Sequence, residues 1–111
     1  RFEAEMGSKP TMVHAGAYSS TMAYLAAVEA VGSAEDGAAV VDKMREMEID
    51  DPFFGKVTVR GDGRAVHDMY LFEVKTPDES DGEWDLYKQV ATISGEDAFL
   101  PMLEECDFSK Q

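Results

Sequence analysis

The run AGAYSSTMAYLAAVEAV, residues 15–31, constrains this chain more than any other stretch. Its Ala, Leu and Met residues are strong helix formers. Gly32 comes next, where a C-terminal helix cap belongs. The apolar positions do not fall on one stripe. Tyr18, Met22, Leu25 and Ala26 cover one side, and Tyr24, Val28 and Val31 another. Glu29 is the only charged residue of the run. A helix apolar nearly all round has to be buried nearly all round. It therefore needs cover from several directions.

A second stretch makes the same demand. Residues 57–60 and 65–75 read as two strands joined by Gly61-Asp62-Gly63-Arg64, which is hairpin turn chemistry. In the second strand Val66, Tyr70, Phe72 and Val74 point one way, with Asp68 among them. Met69 and Leu71 point the other way, with His67. Both faces are partly apolar, so the strand is expected to be sandwiched. A chain of 111 residues has little left to supply such cover. The expectation is a piece of a larger α/β protein, or a chain that self-associates.

The remaining segments are less demanding. Residues 1–9 are polar and mixed, and 10–13 (PTMV) read as a short extended lead into the first helix. Ser33 is placed to cap a second helix reaching about Met47, with Glu35 and Asp36 in its first turn. Val40, Val41, Met44 and Met47 form its narrow apolar face, while Asp42, Lys43, Arg45 and Glu46 face water. EIDDPFFG reads as a loop broken by Pro52 and Gly55. TPDESDGEWD reads as an acidic, exposed loop, residues 86–93 as a third strand, and 94–111 as a tail without a clear period.

The formal net charge is −13, from 23 acidic and 10 basic side chains. So acidic a surface repels phosphate backbones and anionic lipid, which argues against a nucleic-acid partner. No apolar run approaches membrane-spanning length. No signal peptide opens the chain, which begins at Arg1 rather than Met, as expected of a processed or truncated product. Cys106 is the single cysteine, so neither an internal disulfide nor a cysteine-rich zinc site can form.

Several short motifs invite chemistry. Arg60-Gly61-Asp62 spells an adhesion tripeptide, but Gly61 and Asp62 are what a tight turn needs. His67 and Asp68 point to opposite faces of a strand and cannot both ligate one ion. No third ligand completes a metal site. Ser19 and Ser20 lie near His14 but outside any nucleophile motif, and belong near the start of a helix. Glu104, Glu105 and Asp107 surround Cys106 and disfavour its thiolate. RGDGR does not lead into a helix, so it is no phosphate cradle. Nothing reads as an active site, so neither enzyme activity nor a cofactor or metal is expected. A strand running into a helix brings its end to a cleft edge, where ligands commonly bind. Val13, His14 and Tyr18 are therefore the candidate ligand contacts.

Four segments together, in order and spacing, carry a resemblance. AGAYSSTMAYLAAVEAVGS resembles the Tyr-bearing helix and turn near the C-terminal end of a family of solute-binding proteins. DPFFGKVTVRGDGRAVHDMYLFEVKTP resembles that family's loop, short strand, Asp-Gly-Arg turn and long strand. EWDLYKQVATISGEDAF resembles the family's next segment, and EECDF its Cys-containing tail. The family is the type I periplasmic binding proteins, which serve ABC transporters for branched-chain amino acids, amides and related solutes. The implied fold class is α/β: the C-terminal portion of a two-lobed protein, with two helices, a β-hairpin and a further strand. Residues 10–60 would form a helical lobe portion, and 61–111 the hairpin, a hinge-crossing strand and the tail. The implied partners are a small polar solute and an ABC permease, and the implied location is periplasmic. The resemblance also puts a ligand contact near Val13 and His14, and matches Tyr18 to the helix-start tyrosine. In the oxidising compartment it implies, Cys106 would pair with a cysteine upstream. A free Cys106 thiol in the intact protein would contradict that pairing.

Overall fold

The computed structural model describes residues 1–108. The last three residues of the tail segment lie outside the described residues. The helices are α1 (Phe2–Met6), α2 (Met12–Val31), α3 (Gly37–Glu46) and α4 (Gly95–Ala98). The strands are β1 (Ile49–Asp51), β2 (Gly55–Val59), β3 (Ala65–Val66), β4 (Met69–Val74) and β5 (Tyr87–Ile93).

Helix α2 begins three residues before the expected start, so Met12 and Val13 are helical rather than extended. The reason is a cap built from Thr11, whose backbone is extended, and His14, which closes back on it. At the far end Gly32 takes a left-handed φ of 83° and its N–H reaches the Val28 carbonyl at 2.8 Å. Helix α3 is capped by Asp36, not Ser33. The Asp36 carboxylate accepts from the Ala39 N–H at 3.0 Å, while the Ser33 hydroxyl accepts from Glu35 two residues on. Ser33 is thus engaged in a local turn before the helix starts. The two helices pack along each other, and each contributes a fully buried residue, Ala27 and Val40. Val41 is exposed, so the apolar face is narrower than expected. Arg45 does not face water. Its side chain is largely covered, with Nη1 on Asp42 at 2.9 Å and Nη2 at 3.5 Å from the Gly61 carbonyl.

Residues 49–55 form a hairpin, not a loop. Ile49 pairs with Val57 and Asp51 with Gly55 in an antiparallel register. The Asp51 carboxylate holds the turn by accepting from the Phe53 and Phe54 N–H groups at 2.8 and 2.9 Å. The next turn is the one expected at 61–64. Arg60 N–H donates to the Arg64 carbonyl at 2.9 Å, and Gly63 has a φ of 79°. It returns β3 onto β2, with Thr58 opposite Val66, which completes a three-stranded sheet in the order β1-β2-β3.

The expected continuous strand over 65–75 is broken at His67-Asp68. β3 ends at Val66, and β4 starts a separate two-stranded ribbon with β5. Met69 pairs with Ile93 and Val74 with Tyr87. Leu71 faces Ala91 and Phe72 faces Gln89, so Val90 is left over as a bulge. The acidic loop at the ribbon's tip is exposed as expected, but organised. Lys75 pairs with Asp85 at 2.6 Å, and Lys88 with Glu79 at 2.7 Å.

The molecule is extended. Its radius of gyration is 17.3 Å and its extents are 54 × 35 × 19 Å. A compact chain of this length has a radius of about 13 Å. Its accessible surface is 8584 Å², against about 6,100 Å² for a compact monomer of this mass. Among the described residues, Ala27, Val40 and Val57 are the buried hydrophobic ones. Every residue of β4 is exposed, including Leu71 at 53% and Phe72 at 51%. Both faces of the ribbon, and most of α2, are therefore open. That is the missing cover that the sequence pattern demands.

Candidate functional site

The three candidate ligand contacts occupy the first two turns of α2. His14 and Tyr18 are four residues apart and share one face of the helix. Val13 lies a step of about 100° round from His14, and its side chain is exposed. The helix thus brings two of the three together and turns the third aside.

His14 is already engaged. Its Nδ1 accepts from the Thr11 N–H at 3.1 Å and is 2.9 Å from the Thr11 hydroxyl. The Phe2 ring of α1 rests against it at 4.7 Å between centroids. An Nδ1 that accepts from a backbone amide leaves Nε2 as the donor. Tyr18 meets the Phe53 ring edge-on at 5.8 Å. It stands at the mouth of a cleft of about 340 Å³ between α2 and the β1–β2 hairpin, lined also by Ser19, Met22, Met47 and Asp51. Val13 and His14 do not line this cleft.

Asp51 is 7% exposed. Burial works against its charge, but the Ser19 hydroxyl and the Phe53 and Phe54 N–H groups outweigh it and hold the carboxyl below its ordinary value. Glu48 and Asp50 add two further carboxylates to the lining. The cleft therefore combines apolar walls with hydroxyls and negative charge. Carboxylates in such a setting favour hydrogen-bond donors and cationic groups over anions.

The other motifs resolve into structure. Arg60 Nε donates to Asp62 Oδ1 at 3.0 Å, and Arg60 Nη1 to the Leu100 carbonyl at 3.0 Å. The adhesion tripeptide is closed on itself and fastened to the tail. The Arg60 guanidinium holds the Asp62 carboxyl down at about 2. Arg64 lies over the Phe99 ring at 5.6 Å, and the Phe108 N–H donates to the Gly61 carbonyl at 3.0 Å. His67 contacts the Phe54 and Phe99 rings, whereas the Asp68 carboxylate accepts from the Gly95 N–H. The two side chains diverge although they no longer lie in a strand. Among the described residues no group of three or more His, Cys, Asp or Glu is placed to hold a metal ion. Ser20 and Thr21 sit inside α2, not at its start, and donate back to the Ala17 carbonyl. Cys106 is a partly buried free thiol on a 3₁₀ turn.

Sequence reasoning missed Asp51 and the cleft beside it. The signal was present as Asp-Pro-Phe-Phe-Gly, in which Asp can cap a tight turn and Gly55 can take its φ of 70°.

Comparison with known proteins places these elements. The family model described as periplasmic binding protein matches residues 1–83. No curated protein matches the chain. A crystal structure of a branched-chain amino acid ABC transporter periplasmic ligand-binding protein from Burkholderia xenovorans is 44% identical, with a TM-score of 0.84 over 90% of this chain. A periplasmic binding protein from Burkholderia mallei is also 44% identical, with a TM-score of 0.85 over 97% of this chain. The chain spans only 26% and 28% of the lengths of these two proteins.

Proposed function

The chain belongs to the periplasmic binding protein family, and on that footing we propose that it forms the C-terminal part of an extracytoplasmic solute-binding protein. Members of that family are transport components, not enzymes. The intact protein captures a small polar solute, a branched-chain amino acid, an amide or a relative of these. It closes two lobes around the solute and presents it to an ABC permease. Tyr18, His14 and Val13 contribute to one wall of the solute site. Tyr18 carries the most weight of the three, because it lines the cleft beside the β1–β2 hairpin and the other two do not.

One observation carries this reading. The chain matches a branched-chain amino acid ligand-binding protein at 44% identity over nine-tenths of its own length, yet spans 26% of that protein. The open faces of α2 and of the ribbon agree with it, since they are the surfaces a further lobe would cover. By itself, the 111-residue chain supplies too little of a cleft to hold solute. Its uncovered apolar faces direct it toward self-association instead.

Titration calorimetry of the intact protein with leucine, isoleucine, valine and small amides tests the proposal. Saturable binding of at least one is expected, weakened about tenfold or more by Tyr18→Ala, on the scale of one buried aromatic contact. The isolated chain is expected to bind none. Failure of the intact protein to bind any of these solutes overturns the reading.

A further inference from the structure

The β4–β5 ribbon leaves the rest of the molecule and returns to it at two adjacent places. The chain goes out through His67-Asp68 and comes back through Ser94-Gly95. The ribbon and the three-stranded sheet share no strand. Beyond the joint the chain folds back onto the body, with Phe99 against His67 and Arg64, and the Leu100 carbonyl on Arg60. Any motion of the ribbon relative to the body must therefore pass through these two crossings.

The crossings are fastened to each other. Asp68 Oδ1, on the outgoing crossing, accepts from the Gly95 N–H, on the returning one, at 3.0 Å. Gly95 is buried, and a Cβ placed on it would lie 3.0 Å from the His67 carbonyl oxygen and 3.0 Å from Val66 Cγ1. Its φ is not in the left-handed region, unlike that of Gly63. Glycine is needed here for close approach of two backbones, not for an unusual turn. On the outgoing side, His67 Nδ1 lies 2.8 Å from the Asp68 carbonyl oxygen, and the imidazole is backed by Phe54 and Phe99. On the returning side, the Ser94 hydroxyl is 2.8 Å from the Asp97 carboxylate and accepts from the Asp97 N–H. A cleft of about 440 Å³, lined by Thr58, Val66, Gly95 and Phe99, opens beside the joint.

We propose that Asp68 and Gly95 form a clasp that makes the two crossings pivot as one joint, and that this clasp sets the closure equilibrium of the solute-binding protein. The proposal rests on the solute-binding reading given above. Asp68 and Gly95 touch no solute; they are positioning residues. With the clasp in place, the two strands of the ribbon move together and the closed state is well defined. Without it each crossing rotates separately, the closed fraction falls, and apparent affinity falls by the same factor.

The test uses the intact protein, labelled on its two lobes for single-molecule energy transfer, together with calorimetry on its solute. Asp68→Ala removes the acceptor and is expected to weaken solute binding roughly fivefold to tenfold, the scale of one hydrogen bond, with a matching drop in closed fraction. Asp68→Asn keeps an oxygen that can accept from the Gly95 N–H, and is expected to restore both. Gly95→Ala is expected to lower the closed fraction as well. If Gly95→Ala fails to fold, the Asp68 pair decides the matter alone. Unchanged closed fraction and affinity in Asp68→Ala, or failure of Asp68→Asn to rescue, overturns the clasp. Absence of solute-dependent closure in the unsubstituted protein instead overturns the solute-binding reading on which it rests.

Discussion

The helical body and the β4–β5 ribbon both carry many large apolar side chains, but they dispose of them differently. In the body, α2 and α3 pack together and bury Ala27 and Val40, and Val57 lies buried in the adjoining sheet. In the ribbon, Tyr70, Leu71, Phe72 and Val74 on one strand, and Tyr87, Val90 and Ile93 on the other, are all exposed. A two-stranded ribbon cannot build a core of its own. It holds its register through backbone pairing and through ion pairs at its tip, and leaves packing to something else. The body is thus a partly finished unit, whereas the ribbon is a shape prepared for a surround.

The largest expected effect breaks this comparison if it is wrong. Val40→Asp places an unpaired charge at a position with no exposure. It should cost more than about 4 kcal/mol in urea unfolding of the intact protein. Phe72→Asp is the counterpart in the ribbon. In the isolated chain it should change stability by no more than about 0.5 kcal/mol. In the intact protein, cover of the ribbon by a further lobe would raise that cost to about 2 kcal/mol. Equal losses in the two settings would mean that the ribbon lacks such a surround.

A middle-sized effect is expected at the start of α3. Asp36→Ala removes the acceptor for the Ala39 N–H and should cost about 1 kcal/mol by the same unfolding measurement. Ser33→Ala should cost less, since Ser33 holds only a local turn. The reverse order would restore Ser33 as the cap.

The smallest effects concern acid. The Arg60 guanidinium holds the Asp62 carboxyl at about 2, below its ordinary 3.8. The Lys88 ammonium likewise holds Glu79 at about 2, below 4.5. A carboxyl depressed on folding stabilises the fold above its ordinary value and loses that contribution as pH falls through the folded one. Both contributions should therefore be present above about pH 4.5 and fade toward pH 2. Carbon-detected NMR titration of the two carboxyls reads this directly. Midpoints near 4 would show that neither pair persists in solution. Glu79 is exposed, so the stability at stake there is small, whereas the Asp62 side chain is mostly covered in its turn.

Much of the architecture is legible in the sequence because its signals are local. The length and cap of α2 come from its helix formers and Gly32. The Gly61–Arg64 turn comes from its glycines, and β5 starts within a residue of the expected place. The start of α2 is harder to read, because the residue that closes its cap is a histidine, where Glu or Gln is the usual signal. Val13 and His14 consequently read as a strand end, whereas they lie in a helix. Tyr18 lines the α2–hairpin cleft, because the β1–β2 hairpin comes up beside it, and the sequence of that hairpin reads as a loop.

Residue pattern alone establishes that α2 and the segment 65–75 carry apolar residues on more than one side, and so that both need cover. Periodicity reports which directions a side chain points, and that is set by neighbours within a turn or two. The division of 65–75 into two strands of two sheets emerges only in three dimensions. Nothing in AVHDMYLFEVK marks a break at His67-Asp68. At the break the chain meets Gly95, 27 residues beyond Asp68, whose N–H donates to the Asp68 carboxylate at 3.0 Å, a contact between distant residues that local pattern does not report.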